Sequence, residues 1–225
     1  RPGFLYREKR AQPEDSGWRI FTGLESEEYN DNPDNIGIYN PSTILEIDPS
    51  LADILLSGVG SVYERSDDGD EWVKVGDFEM EDDYLETHRL TDQWTFDINH
   101  LFERSIEDDG TLFYTTGDRS VRLNIWVSEK DRQALHEEYR EVISSRGADE
   151  PEALEIFDFS DDAVARPGYL IHEEYESREY YVLFGFSLID KEIVMGSFYF
   201  DDEDDLEWAK DTWRSIVLNG KDQQQ

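Results

Sequence analysis

Alternating apolar and polar residues along the first part of the chain predict a set of short β-strands. Successive side chains of a strand point to opposite faces of a sheet, so a half-buried strand alternates in polarity. We predict strands where residues alternate in this way, or where a short apolar run lies beside turn residues. These stretches are 3–8, 18–23, 36–40, 61–65 and 71–76. The last two flank the sequence SDDGD, which is typical of a tight turn, and we expect them to form a hairpin.

Between the third and fourth of these strands, the apolar residues have helical spacing. Ser42 is predicted to cap a short turn, and Asp48 to cap a second helix with Pro49 at its first position. Proline is tolerated there because the N–H that it lacks would have no partner within the helix. Gly58 ends this second helix. Its predicted apolar face comprises Leu51, Ile54 and Leu55.

The second part of the chain has longer strands and two helices. Strands are predicted over residues 94–98, 100–108, 111–117, 120–128, 169–177, 179–190 and 192–200, the last three as an antiparallel meander. Ser128 is predicted to cap a helix over 129–147, and a second helix covers 201–220. The residues expected to face inward from this second helix are Leu206, Ala209, Trp213, Ile216 and Val217.

These elements predict an α+β fold of two small domains, each an antiparallel sheet covered by one or two helices. Strands do not alternate regularly with helices, which disfavours a parallel, doubly wound sheet. The charged stretch 79–94 has little periodicity and marks the expected boundary. We expect domains over 1–88 and 89–220, followed by a frayed tail over 221–225.

The charge of the chain limits which partners it can bind. It has 55 acidic and 21 basic residues, a net charge of −34. Nucleic acid and anionic lipid both require a basic face, so we expect neither as a partner. The acidity favours either a partner with a basic surface or a saline environment, and the sequence leaves both open.

The sequence offers no constellation of residues typical of catalysis. Its histidines, His88, His100, His136 and His172, have no metal-ligand spacing, and there is no cysteine to complete a zinc site. A glycine-rich phosphate loop and a nucleophile elbow are also missing. We therefore expect no enzyme, no cofactor and no metal. A hydrolase with a site at the domain junction, near His88 and His100, is the least favoured alternative.

The absence of cysteine fits a reducing cytoplasm, where we expect the protein to be located. The sequence contains no apolar run of the length that spans a bilayer and no visible signal peptide, so we expect no membrane association. The oligomeric state stays undetermined.

The adjacent residues Trp18 and Arg19 have opposite expected roles. If Trp18 faces the core, then Arg19 points outward from the other face of its strand. We expect Arg19 to form ion pairs that hold the loop 24–35, since a guanidinium pairs rigidly with carboxylates. Direct contact of Arg19 with a partner is the alternative. The acidic residues expected near Arg19 are Asp15, Glu25, Glu27 and Glu28.

Several motifs in the first part resemble a bacterial family. They are the start DSGWR, the acidic loop with EEY and PDN, the passage IYN, TIL and DP, and the strand VGSVYER. The order and spacing of these motifs, within about residues 3–76, resemble those of the immunity protein thirty-three family, formerly a domain of unknown function. The second part resembles an uncharacterised bacterial domain and, more loosely, the Mog1/PsbP-like group.

The resemblance implies a small α+β domain that binds and neutralises a cognate toxin of a polymorphic toxin system, without catalysis. A basic toxin surface fits the charge of the chain. The expected partner-binding residues are Glu27, Glu28, Tyr29, Asp31, Asp34, Tyr39, Asp67, Asp68, Asp70 and Glu71, with the two tyrosines as anchors. Trp18, Arg19, Asp48 and Pro49 are expected to be structural. The alternative is an acidic, salt-adapted protein whose binding role is unknown.

Overall fold

The computed structural model describes residues 1–69, 71–149, 155–175 and 178–220 of the chain. It divides into two compact units, Arg1–Tyr84 and Leu85–Gln225. Both are built from antiparallel sheets with a few helices, so the α+β class predicted from the sequence is confirmed.

The N-terminal unit contains a four-stranded antiparallel sheet in the order β2-β1-β3-β4. Its strands are β1 (Phe4–Arg7), β2 (Trp18–Phe21), β3 (Val62–Arg65) and β4 (Trp72–Lys74). The predicted hairpin is present as the pair β3 and β4. The predicted strand over 36–40 is wrong, because these residues belong to no strand.

Short helices fill the connection between β2 and β3. They are α1 (Glu27–Asn30), α2 (Pro41–Ile47) and three 3-10 turns, Pro33–Asn35, Pro49–Leu51 and Ile54–Leu56. The predicted cap at Ser42 is wrong, since α2 begins at Pro41 with Asn40 before it. The cap at Asp48 is confirmed, but the helix after it is two separate 3-10 turns. Leu51 is fully buried, whereas the other side chains of these two turns are not. Because a short helix depends on such packing, few contacts support a continuous helix here.

One face of this sheet is covered by residues 48–57. Leu5 on β1 is completely buried, as is Leu51 in the covering segment. On the same face, the indole N–H of Trp18 donates to the carbonyl of Leu55 at 3.2 Å. The opposite face carries Phe4, Tyr6 and Phe21, whose half-buried rings lie 5.9–6.4 Å apart.

The C-terminal unit contains two further antiparallel sheets. The larger has seven strands in the order β10-β11-β12-β13-β9-β8-β7, and the smaller has the order β14-β6-β5. Their strands are β5 (Leu85–Arg89), β6 (Trp94–Asn99), β7 (Glu103–Ile106), β8 (Leu112–Thr115), β9 (Ser120–Val127), β10 (Glu155–Asp158), β11 (Pro167–Tyr175), β12 (Arg178–Ile189), β13 (Glu192–Phe200) and β14 (Val217–Leu218). The predicted meander is confirmed as β11, β12 and β13.

Two helices cover opposite faces of the seven-stranded sheet. The helix α3 (Arg132–Asp149) packs Leu135 and Ile143 against one face. The helix α4 (Leu206–Arg214), which follows a 3-10 turn at Glu203–Asp205, packs Trp213 against the other. Gly168 and Gly185 pair across β11 and β12 beneath the indole of Trp213, where any larger side chain would overlap the ring.

The ends of these helices differ from the prediction. Asp131 caps α3 through the N–H of Ala134 at 2.9 Å, so the predicted cap at Ser128 is wrong. The predicted helix 201–220 ends at Arg214, and the chain then pairs with β6 as β14. Val217, expected to face inward, is exposed for this reason. The tail 221–225, predicted to be frayed, lies outside the described residues.

The stretch 79–94, interpreted from sequence as the region of the domain boundary, contains the strand β5. This strand pairs with β6 along its whole length, from Leu85 opposite Asn99 to Arg89 opposite Thr95. The expected domain boundary after residue 88 therefore falls inside a paired strand of the C-terminal unit.

Candidate partner-binding site

Residues 24–47 of the N-terminal unit form an unusually exposed segment, here called the exposed segment. Every residue from 28 to 42 is exposed to solvent. The segment connects β2 to Asp48, where the chain returns to the sheet. None of its side chains whose exposure the structure describes is buried, so its sequence is free to serve contacts outside this chain.

Large apolar side chains are concentrated in the exposed segment. Ile38 is 100% exposed and Leu24 is 91% exposed. The full set is Leu24, Tyr29, Ile36, Ile38, Tyr39 and Ile47. Scattered exposed apolar residues are ordinary, but a run of them in one acidic loop is typical of an interaction surface.

Acidic side chains lie among these apolar ones in the exposed segment. Glu28, Asp31 and Asp34, which the sequence predicts as partner contacts, are all exposed. The predicted anchors Tyr29 and Tyr39 are exposed as well. The remaining prediction in the segment, Glu27, opens the helix α1.

The beginning of the exposed segment is ordered by the carboxylate of Glu25. The backbone N–H groups of Thr22, Gly23 and Leu24 donate to it at 2.7, 2.9 and 3.1 Å. Burial raises the pKa of Glu25, but these hydrogen bonds outweigh it and lower the pKa to about 2. Glu25 therefore stays charged at neutral pH and fixes the turn that leads out of β2.

Local hydrogen bonds also order the middle of the segment. The side chain of Asn32 accepts from the N–H of Asp34 at 3.1 Å. The side-chain amide of Asn35 donates to the carbonyl of Tyr29 at 2.9 Å. These bonds hold the loop without a buried core, so its apolar side chains are presented from a defined backbone.

Residues 36–40 belong to no sheet, and their backbone is extended at both ends. The dihedral angles φ and ψ are −93° and 124° at Ile36, and −70° and 145° at Asn40. A Cβ placed on Gly37 would lie 2.5 Å from Cε2 of Tyr39, so the tyrosine ring lies over the glycine. In the described part of the chain, the N–H groups of Gly37, Ile38 and Tyr39 form no hydrogen bond.

The turn between β3 and β4 contains the other predicted contact residues. Asp67, Asp68 and Glu71 are exposed, and Asp70 lies outside the described residues. The hydroxyl of Ser66 donates to the carboxylate of Asp68 at 2.5 Å. The turn is thus closed by its own side chains and leaves acidic groups on the surface.

Asp48 and Arg65 join this turn to the end of the exposed segment. Their side chains form an ion pair and are only 5% and 8% exposed. Arg65 also donates to the carbonyl of Gly69 at 3.1 Å and lies 4.2 Å from the ring centre of Trp72. The hydroxyl of Ser50 donates to Asp48 at 2.6 Å.

The charge of Asp48 is stabilised by these partners. Burial raises the pKa of its carboxyl, but hydrogen bonds from Ser50 and Arg65 outweigh that effect, and the pKa lies below its usual value. Pro49 follows at the first position of the 3-10 turn, as predicted. Asp48 therefore caps this turn and also holds β3.

Arg19 pairs with one of the expected acidic residues and with one that was not expected. It forms ion pairs with Asp15 at 2.8 Å and with Glu8 at 2.5 Å. The expected pairing with Asp15 is present, whereas Glu25 is engaged by the backbone of its own turn. Arg19 therefore fixes the residues before β2 rather than the loop 24–35. Its hydrogen bonds hold the pKa of Asp15 well below the usual range.

The sequence predicted a different role for Glu25, as a partner of Arg19, and did not single out Arg65. Glu25 lies two residues after the pair Thr22-Gly23, where a tight turn presents several free N–H groups, and this position could have identified its role. Arg65 belongs to the YER motif, and its partner Asp48 belongs to the DP motif. Their contact spans 17 residues, so sequence spacing gives no sign of it.

The histidines of the C-terminal unit pair with carboxylates. His88 Nε2 and His100 Nδ1 lie 3.3 and 3.1 Å from the same oxygen of Glu86. His136 Nε2 lies 3.1 Å from Asp158 and 3.4 Å from the Ser160 hydroxyl.

This serine, histidine and aspartate do not have the arrangement of a hydrolase triad. The carboxylate and the hydroxyl share one ring nitrogen, and Ser160 donates to Asp158, so the ring is not placed to take the serine proton. Among the described residues, no group of three or more histidine and acidic side chains could hold a metal ion. The helices of the described ranges include none that is long and apolar enough to cross a membrane.

Comparison with known families supports the sequence resemblance. Residues 1–76 match the family model of the Immunity protein Imm33 domain. This range covers all four strands of the N-terminal sheet together with the exposed segment. No curated protein matches the chain.

Two solved structures are similar to parts of this chain. A crystal structure from Bacteroides thetaiotaomicron VPI-5482 matches with 7% identity and a TM-score of 0.43, covering 57% of this chain and 46% of that one. This chain thus spans less than half of that protein. The solution structure of cyanobacterial PsbP (CyanoP) from Synechocystis sp. PCC 6803 matches with 9% identity and a TM-score of 0.31, covering 64% of this chain and 97% of that one.

Proposed function

We propose that this protein is a non-catalytic immunity protein that binds and neutralises a cognate toxin of a bacterial polymorphic toxin system. The observation that carries the proposal is the match of residues 1–76 to the Immunity protein Imm33 domain. The proposed mechanism is sequestration, in which the bound chain blocks the toxin. The cytoplasm is the proposed compartment, where an immunity protein protects the cell that makes the toxin.

The proposed contact surface is the exposed segment together with the turn between β3 and β4. Both belong to the unit that matches the family, and both present acidic side chains to solvent. The exposed segment adds large apolar side chains, which supply most of the binding energy in protein interfaces. Its predicted residues are Glu27, Glu28, Tyr29, Asp31, Asp34 and Tyr39, and those of the turn are Asp67, Asp68, Asp70 and Glu71.

The proposed partner surface is basic around an apolar centre. The chain carries a net charge of −34, which steers a basic partner toward it and repels acidic ones. The apolar side chains of the exposed segment then need a dry, apolar counterpart to contribute affinity. A basic enzyme that acts on nucleic acid has a surface of this kind.

Co-expression with the product of the adjacent upstream gene tests the proposal. We expect the chain to restore growth of cells that express this product and to co-purify with it. The variant E28Q/D31N/D34N neutralises three exposed acidic residues of the segment, and we expect weaker rescue and a weaker complex. Its matched control is E129Q/D162N/E174Q, which neutralises three exposed acidic residues of the C-terminal unit.

The two possible failures of this experiment have different meanings. Without rescue and without a complex, the immunity function is refuted for this toxin candidate. If rescue occurs but both triple variants behave alike, the function holds and the proposed contact surface is wrong.

A further inference from the structure

We propose that residues 36–40, here called the recognition strand, bind the partner by adding a strand to a free edge of the partner's β-sheet. This inference rests on the proposed function and specifies how the same surface binds. The occupant is an edge strand of the toxin, flanked by basic side chains.

The sequence of the recognition strand favours a β-strand. Ile36, Ile38 and Tyr39 are β-branched or aromatic, and such residues are enriched in strands. The backbone is extended at both ends of the stretch, at Ile36 and Asn40. The same pattern predicted a strand here, yet no strand of this chain pairs with it in the described residues.

The backbone of the recognition strand has unused hydrogen-bonding capacity. The N–H groups of Gly37, Ile38 and Tyr39 have no partner within the described residues. Unpaired N–H groups on an extended, exposed stretch are the template on which another strand docks. A partner strand would satisfy these groups at little cost in conformational entropy, because the loop before them is already ordered by Asn32 and Asn35.

The side chains of the recognition strand divide between two faces. The ring of Tyr39 lies over Gly37, as expected for residues two apart on one face of an extended chain. Ile36 and Ile38 then share the opposite face, where they are 66% and 100% exposed. An apolar face of this kind would be buried between the added strand and the body of the partner.

Charge determines the kind of partner. The acidic residues Asp31, Asp34 and Glu46 flank the recognition strand and are exposed. These carboxylates would repel an edge strand with acidic side chains, whereas Lys and Arg side chains beside the edge would pair with them. Basic residues are also common on exposed sheet edges, where they prevent unwanted pairing.

A proline at position 38 distinguishes binding through the backbone, by strand addition, from binding through the side chain alone. Ile38→Pro removes both the side chain and the N–H, whereas Ile38→Ala removes the side chain alone. Ile38 is fully exposed and lies outside regular structure, so we expect both variants to have unchanged thermal midpoints. Glu79→Pro is the matched control, since it places a proline in another exposed stretch without regular structure.

The measurement is the dissociation constant for the purified product of the adjacent upstream gene, by calorimetry. We expect I38P to bind at least about fivefold more weakly than I38A, the size of one lost backbone hydrogen bond, and E79P to bind like wild type. If the wild type binds and I38P lies within fivefold of I38A, strand addition is refuted while the proposed function stands.

Two further outcomes would also refute the inference. If the wild type does not bind at all, the proposed function fails and the inference fails with it. If the chain alone forms a dimer by sedimentation, and I38P dissolves this dimer, the recognition strand serves self-association instead of a toxin.

Discussion

Asp48 connects the exposed segment to the sheet of the N-terminal unit. Its carboxylate lies at the end of the exposed segment, caps the following 3-10 turn, and pairs with Arg65 on β3. Arg65 in turn holds the turn between β3 and β4 through the carbonyl of Gly69. The two proposed contact regions therefore share one buried ion pair.

Asp48→Asn is expected to destabilise the N-terminal unit by about 3 kcal/mol, because it leaves the buried guanidinium of Arg65 without a charged partner. Urea unfolding followed by tryptophan fluorescence measures this change. Asp53→Asn is the control, since Asp53 is exposed, and it should change stability by less than about 0.5 kcal/mol. Equal stability of the two variants would show that the pair contributes little.

The same carboxylate gives the unit a defined pH dependence. The pKa of Asp48 is lower in the folded state than in an unfolded chain. Its contribution to stability is therefore complete above the unfolded pKa, about 4, and is lost as the pH falls through the folded pKa. The Asn variant should lack this part of the acid sensitivity.

At the scale of elements, the turn after β2 determines how the exposed segment leaves the sheet. Glu25→Gln keeps the shape of the side chain but removes the charge that accepts three backbone N–H groups. Since a charged acceptor is stronger than a neutral one, we expect amide exchange at Thr22, Gly23 and Leu24 to become about fivefold faster. Hydrogen exchange followed by NMR measures this. Glu28→Gln, an exposed site on α1, should leave these rates unchanged.

Sequence patterns predicted whether most segments form a helix or a strand, but not which strands pair with each other. The meander of β11 to β13 was predictable because long alternating runs with tight turns allow few registers. The recognition strand was predicted as a strand from the same kind of pattern, and its backbone is extended, but pairing depends on a neighbour that the pattern does not specify. Strand β5 was missed because its residues, LETHR, are largely polar and exposed.

The candidate site was partly predictable for a related reason. The acidic loop and its tyrosines follow from composition and turn residues, and the structure places them on the surface. The apolar residues Leu24, Ile36 and Ile38 were missed, because an apolar residue in a short run is first interpreted as core. Ion pairs such as Arg19 with Glu8 were also missed, since many acidic residues compete for each cation.

At the scale of the whole molecule, the net charge of −34 has two explanations that predict opposite effects of salt. Steering of a basic partner acts between the separate proteins and weakens as salt shortens the range of electrostatic forces from about 10 Å at 0.1 M to about 3 Å at 1 M. Adaptation to a saline environment acts within the chain, where salt relieves the repulsion between its own carboxylates.

We expect the chain to be folded in dilute buffer, with a thermal midpoint that changes by only a few degrees up to molar salt. The rate of association with its partner should fall about tenfold or more over the same range, while the dissociation rate changes little, because steering acts before contact. Circular dichroism melting curves and stopped-flow association measure the two quantities on the same protein. A chain that unfolds below molar salt would instead be salt-adapted, and its acidity would then carry no information about the partner.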